Sequence, residues 1–327
     1  MKKFYTIMAV VIAAAFILTA CGAQTPAATE VPAATSAPAD TVAAPTVAPT
    51  AAATSVPDLL ATIKSRGYIL VSTDPNYEPQ SFLDTNGKRP SSTKCPSDAL
   101  TTAEMKGFDV DVAHKIGDAL GVETCFATPS WDLITAGNWA DKWDISVGSM
   151  TITTAREKVL NFSVPYYYTP AVVAVGKNSG FTKLDDLAGK ALCAGTSTTY
   201  ETWITGGDIG LPASSIYAKP PAGVTDVSLA TDQECAQSLA SGRKDFVGYV
   251  TSQTVVAANI AAGLPVMQLG SPVYSEDLAV AIDKNASLPT DSLLKAIDDT
   301  ITTMHTDGTL SALSNQWFKA DLTQAPK

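Results

Sequence analysis

From residue 58 onward, apolar positions come in short blocks that switch between a strand-like and a helix-like spacing. Asp58 can cap a helix over 59–65, which Gly67 closes. Tyr68-Ile69-Leu70-Val71-Ser72 then reads as a strand, uncharged and rich in β-branched and aromatic side chains. Val112, Ile116 and Ala119 stand at i, i+4 and i+7 and predict a helix with one buried stripe, stopped by Gly121. Strands are expected over 122–127 and 144–147, with a short helix near 133–136 between them. A second unit follows: a strand over 171–175, a short helix over 184–187, a strand over 191–194 and a helix containing Trp203. A helix near 235–239 and a strand over 245–250 complete it. The chain closes as helix from 291 to 317, where Leu293, Ile297, Ile301 and Met304 repeat at four and three residues. Alternating strand and helix predicts an α/β fold, with helices layered on parallel or mixed sheet. A chain of 327 residues, 46% hydrophobic, fits two lobes with separate cores better than one large core.

The N-terminal segment follows another pattern. Lys2 and Lys3 precede an unbroken apolar run over 6–18, which reads as an export signal. The run is short for a membrane span, and no positively charged stop follows it. Leu18-Thr19-Ala20-Cys21 resembles a bacterial lipoprotein processing site. That resemblance implies removal of residues 1–20 and acylation of Cys21, which becomes a lipid anchor in the membrane. From Gly22 to Pro57 the chain is almost all Ala, Thr, Pro, Val and Ser, with only Glu30 and Asp40 charged. Such side chains bury too little surface to offset backbone ordering, so residues 21–57 are expected to be a lipidated tether.

The formal net charge of −10, with no Lys/Arg cluster, excludes nucleic acid as a partner, since phosphate binding needs a positive surface. Beyond Cys21 four cysteines remain, Cys95, Cys125, Cys193 and Cys235, and outside the cytoplasm an even number is compatible with disulfides. Three pairings are open. Cys95–Cys125 with Cys193–Cys235 keeps each bridge inside one predicted lobe and is preferred. A structural metal is not expected: no Cys-x-x-Cys pair exists, and His114 and His305 are the only histidines.

Candidate ligand groups gather where predicted strands end. Thr73-Asp74-Pro75-Asn76-Tyr77-Glu78-Pro79 follows the first strand, at the edge where open α/β sheets bind ligands. Tyr77 and Trp131 can stack on a ligand face. Gly148-Ser149-Met150-Thr151-Ile152-Thr153-Thr154-Ala155-Arg156 puts hydroxyls beside an arginine whose rigid fork suits a carboxylate. Gly195-Thr196-Ser197-Thr198-Thr199 is the matching turn of the second unit, with free amides at a helix start.

In order along the chain, several pieces resemble the polar amino-acid-binding proteins of ATP-driven importers. They are Thr73-Asp74-Pro75-Asn76-Tyr77, Gly107-Phe108-Asp109-Val110-Asp111, Thr151 to Arg156, Asn161-Phe162-Ser163 with Tyr166-Tyr167, Gly195-Thr196, and Met304 to Leu310 with Trp317-Phe318. The resemblance spans about 59–318. It implies a two-lobed periplasmic-binding-protein-like fold, each lobe a mixed or mostly parallel sheet flanked by helices, joined by a two-strand hinge. Lobe 1 is then 58–168 and 271–322, and lobe 2 is 169–270. It further implies a monomeric lipoprotein without cofactor that hands a small polar or carboxylate-bearing solute to an ABC-type membrane permease.

By the same resemblance Arg156 grips the ligand's α-carboxylate. Ser149, Thr151, Ser197 and Thr198 supply hydrogen bonds, Tyr77 packs on the ligand, and Asp74 lies at the pocket edge. The family's usual aspartate for the α-ammonium falls at Val250, so another acid, Glu276 or Asp277, must take over, or the ligand is not an α-amino acid. An enzyme on this fold would have only Asp74 and Glu276 for acid–base work, because neither histidine lies in a cleft segment.

Overall fold

The computed structural model describes residues 57–326, so the expected export signal, the expected lipidation site Cys21 and nearly all of the expected tether lie outside the described residues. The fold begins with α1 (Leu59–Arg66), whose first turn is capped by the Asp58 side chain accepting from the Ala61 amide at 2.7 Å. Gly67 ends it in the left-handed region at φ 82°. Then come β1 (Tyr68–Ser72), β2 (Asn76–Tyr77), β3 (Ser81–Leu83), β4 (Leu100–Thr101), β5 (Met105–Lys106), α2 (Phe108–Leu120), β6 (Glu123–Ala127), α3 (Trp131–Thr135), β7 (Ile145–Thr151) and β8 (Leu160–Phe162). The second half has β9 (Tyr167–Gly176), β10 (Ala191–Gly195), α4 (Thr199–Ile204), β11 (Thr225–Leu229), α5 (Asp232–Ala240), β12 (Gly248–Ser252), α6 (Gln253–Ala261), β13 (Val266–Asp283), α7 (Asp291–Thr306) and α8 (Thr309–Phe318).

One continuous sheet runs β11-β10-β12-β9-β13-β7-β1-β6-β4, with β8 also on β13. Each lobe contributes a parallel block, β1 with β6 and β7 in one and β10 with β11 and β12 in the other, and β4 adds antiparallel to β6 at one end. Between the two blocks β9 and β13 run antiparallel as the crossing pair, out of register between Leu269 and Tyr274. The cores divide along this crossing. Tyr166, Tyr167, Leu278 and Val280 belong to the first lobe's core, and Ala171, Val173, Leu269 and Tyr274 to the second's. This is a two-lobed α/β fold of the periplasmic-binding type.

The local sequence explains these elements. In β9, Ala171, Val173 and Val175 enter one core cluster while Val172 and Ala174 enter another on the opposite face. A strand covered on both sides by helices tolerates no polar alternation, so it reads as a continuous apolar run. In α7 the expected stripe Leu293, Ile297, Ile301 and Met304 is buried. In α2 the expected stripe is partly wrong. Val112 and Ile116 are buried, but Ala119 is exposed and Leu120 takes its place, because the covered face continues through i+4. The helix also begins earlier, at Phe108, with Asp109 fully buried in its first turn. Gly107 precedes it at φ 131°, where an added Cβ would lie 2.1 Å from the Gln80 carbonyl oxygen.

Other corrections concern strand limits. The strand expected from Asp245 starts at Gly248, since Asp245 is held in the preceding turn by Arg243 at 2.7 Å. β11, α6 and the 18-residue β13 carry no clean period and were not expected. Two disulfides join Cys95 to Cys125 and Cys193 to Cys235, closing loops of 30 and 42 residues. The first ties the 87–106 excursion to β6 and the second ties α5 to β10.

Candidate functional site

A cavity with about 470 Å³ of atom-free space lies between the lobes, where strand ends and helix starts of both converge. Asp74, Tyr77, Trp131, Ser149, Thr151 and Arg156 line it from the first lobe. Thr198, Thr199, Tyr200, Thr231 and Asp232 line it from the second, and Glu276 reaches it from the crossing strand β13.

Arg156 sits in a turn of 3₁₀ helix five residues past the end of β7 and is only 8% exposed. Its Nη1 donates to the Thr151 carbonyl at 3.0 Å, and its Nη2 donates across the cleft to the Ser197 carbonyl at 3.2 Å. The guanidinium lies 5.5 Å from the Trp131 ring centroid. It belongs to none of the ion pairs among the described residues. Burial pulls its pKa down, opposed by the fields of Glu276, Tyr274 and Tyr200. A guanidinium has five N–H donors, so most of its capacity is unspent. Trp131 adds a buried Nε1 that has no hydrogen-bond partner.

Glu276 is a hub rather than a free acid. It is 1% exposed, and its Oε1 accepts from Thr151 at 2.6 Å and from Thr199 at 2.8 Å, while Oε2 accepts from Tyr200 at 2.9 Å. Burial raises its pKa, and these three hydroxyls and Arg156 oppose the rise. Asp277, the other acid considered in its place, is exposed and lines a separate hollow with Glu157 and Asp208. Val250 is fully buried in the second lobe's apolar core and accepts nothing.

Behind the cavity lies a polar network. Ser149, at φ 53°, donates its hydroxyl to Asp109 at 2.7 Å and its amide to the Tyr166 hydroxyl at 2.9 Å, and it accepts from Tyr167 at 2.7 Å. Tyr166 donates in turn to the other Asp109 oxygen at 2.8 Å. Burial pushes the Asp109 carboxyl up to about 7, against the lowering by Ser149 and Tyr166.

These contacts change the expected roles. Ser149 and Thr151 line the cavity, but their hydroxyl protons are committed to Asp109 and Glu276. Ser197 is not among the residues lining the main cavity. It lines an adjoining hollow beside Arg156, and its amide donates to Glu201 at 2.7 Å. Thr198 lines both spaces and caps α4, accepting from the Glu201 amide at 3.1 Å. Tyr77 and Asp74 are at the cavity, half-buried, and the Tyr77 hydroxyl meets that of Tyr200 across the cleft at 3.1 Å.

Sequence reasoning missed Tyr200, Thr231 and Asp232, and named Thr199 only as part of the turn from Gly195. Asp232 opens α5 directly after β11, at the same sheet edge that exposes Asp74 and Arg156. Its signal was a strand-to-helix junction, hidden because Thr225-Asp226-Val227-Ser228-Leu229 looks like a polar loop.

Comparison with known proteins settles the family. The model of the bacterial extracellular solute-binding proteins, family 3, matches residues 69–320. The chain belongs to that family. It is 29% identical over 269 residues to the L-cystine-binding protein TcyJ of Escherichia coli (strain K12), covering 81% of this chain and 88% of that protein. It is 26% identical over 218 residues to the ABC transporter arginine-binding protein 1 of the same strain, covering 66% and 82%. Among solved structures, a mutant of ArgBP from T. maritima superposes with a TM-score of 0.64 at 26% identity, covering 80% of this chain and 99% of that one. The chain is therefore a substrate-binding protein of an ABC-type importer for amino acids or related polar solutes, not an enzyme, and it works outside the cytoplasm.

Proposed function

We propose that the protein captures a small L-α-amino acid between its lobes, with the carboxylate on Arg156, and delivers it to an ABC-type permease. One observation carries this reading: a guanidinium buried in the cleft with no carboxylate partner among the described residues. Leaving a buried charge uncompensated costs several kcal/mol, and a ligand carboxylate would supply the missing charge in the geometry the fork favours. The unpartnered Trp131 Nε1 provides a further donor at the same wall. Tyr77 and Trp131 would cover the ligand's apolar part.

Capture would proceed by hinge closure about β9 and β13. In support, three side chains bridge the lobes directly: Arg156 to the Ser197 carbonyl, Tyr77 to Tyr200, and Gln80 to Thr254 at 2.6 Å. A permease that recognises this form would receive only loaded protein. The protein would act as a monomer held at the membrane by lipid on Cys21, with residues 21–57 as tether. Incorporation of labelled palmitate that persists in Cys21→Ser would remove the anchor from the proposal.

A second reading has its own observation. Val250, where the sequence resemblance puts the family's usual acid for an α-ammonium, is buried in the second lobe's apolar core and is not among the residues lining the cavity, which supports a carboxylate lacking that group. Calorimetry against L-amino acids and small organic acids, with small-angle scattering for compaction, separates the two. The amino-acid reading expects micromolar or tighter binding of at least one L-amino acid together with compaction. Binding confined to organic acids would replace it.

A further inference from the structure

Three carboxylates line the cavity, Asp74, Asp232 and Glu276, and they are not equivalent. Both Glu276 oxygens are engaged by three hydroxyl donors from β7 and α4. Asp74 is half-exposed at the rim, and its Oδ1 accepts from the Asn76 amide at 2.8 Å. Asp232 is 4% exposed, and each oxygen accepts a single bond from a neutral donor: Oδ1 from the Gly195 amide and Oδ2 from Thr251 Oγ1, both at 2.8 Å. It belongs to none of the ion pairs among the described residues. A carboxylate has about four acceptor positions, so Asp232 keeps one open on each oxygen.

We propose that Asp232 is the acceptor of the ligand's α-ammonium, replacing the acid that Val250 lacks. The inference rests on the amino-acid reading above. The turn that starts at Gly195 holds the two charged groups on one short segment: Asp232 is bonded to the Gly195 amide and Arg156 to the Ser197 carbonyl, two residues further along, and both side chains line the same cavity. An α-amino acid carries its two charged groups on adjacent carbons, so it suits an acceptor and a guanidinium that share one wall. Gly195 is part of the arrangement, because an added Cβ there would stand 2.8 Å from Asp232 Oδ1 and push the carboxylate away. Burial, with the nearby Asp74 and Glu276 fields, raises the Asp232 carboxyl to about 7, so a cation beside it would relieve a real electrostatic load.

The test first screens the full soluble chain by calorimetry against the standard L-amino acids and L-cystine, then pairs the best binder with its 2-hydroxy acid. Asp232→Asn is expected to weaken the amino acid by a hundredfold or more while changing the 2-hydroxy acid less than threefold. Glu276→Gln should not reproduce that split. Should Asp232→Asn fail to fold, Asp232→Glu, which keeps the charge and misplaces it, is read the same way and should weaken only the amino acid, by more than tenfold. An amino acid that binds the Asp232 variants as it binds wild type overturns the assignment but leaves the amino-acid reading standing. A wild-type protein that binds no amino acid in the screen overturns both.

Discussion

Arg156→Met separates function from stability more cleanly than any other substitution in this protein. The side chain is 8% exposed and its guanidinium pairs with two carbonyls and no carboxylate. Removing it leaves the Thr151 and Ser197 carbonyls without those donors, a loss of about 1–3 kcal/mol each. It also removes a desolvated charge whose effective penalty is several kcal/mol. The two nearly cancel, so the ligand-free variant should unfold within a few degrees of wild type. Binding has no such compensation. Truncating one partner of a buried charge pair costs about 2–5 kcal/mol, a loss of roughly 30- to 5,000-fold in Kd. Thermal unfolding with and without ligand reads both effects. At a concentration a hundred times the wild-type Kd, the ligand should stabilise wild type by about 2.7 kcal/mol and Arg156→Met by less than about 1 kcal/mol. Affinity within threefold of wild type would refute the assigned role. A ligand-free loss above about 4 kcal/mol would instead make the arginine a structural residue.

Other consequences follow from the same geometry. Replacing both Cys193 and Cys235 by serine should cost about 4 kcal/mol by urea unfolding, from the 42-residue loop they close, and the Cys95–Cys125 pair slightly less. Gly107→Ala forces a Cβ to within 2.1 Å of the Gln80 carbonyl at φ 131°, and should lower stability by about 3 kcal/mol; an unchanged urea midpoint would contradict that packing. Asp109, raised from 3.8 to about 7, binds its proton more tightly folded than unfolded. The stability it contributes is therefore complete below about pH 4 and lost as pH rises through 7, by about 4 kcal/mol, and Asp109→Asn should abolish that slope. Three carboxylates and one guanidinium line the cavity, so L-arginine or L-lysine should outrank L-glutamate in a calorimetric panel, and the reverse order would mean the acids are neutral in the free protein.

Much of this architecture was legible along the chain because burial on both sheet faces erases polar alternation. β1, β9 and α7 announce themselves through uninterrupted or four-three spaced apolar residues. β11 and β13 do not. β11 lies at the sheet's edge, half covered, and keeps Thr225, Asp226 and Ser228. β13 changes neighbours along its length, so its inward positions shift with each partner. The site divides in the same way. Asp74, Tyr77 and Arg156 follow strands that were visible, and so were found. Asp232 follows β11, which was not, and so was missed. The roles of Ser149 and Thr151 could not be read from residue type. A hydroxyl beside a cavity is available to a ligand only if no buried acid has claimed its proton, and here Asp109 and Glu276 have.

That internal commitment bears on how closure could be made to depend on ligand. Glu276, on the crossing strand, gathers Thr151 from the first lobe and Thr199 and Tyr200 from the second. Together with Tyr77–Tyr200 and Gln80–Thr254, these hydrogen bonds can favour closure at about 1 kcal/mol each. Against them stands the desolvation of Arg156, which grows as the second lobe comes down over it. A carboxylate that reaches Arg156 removes the opposing contribution and leaves the favourable ones in place. The ligand would then shift the equilibrium towards the closed form through what it does to this buried charge.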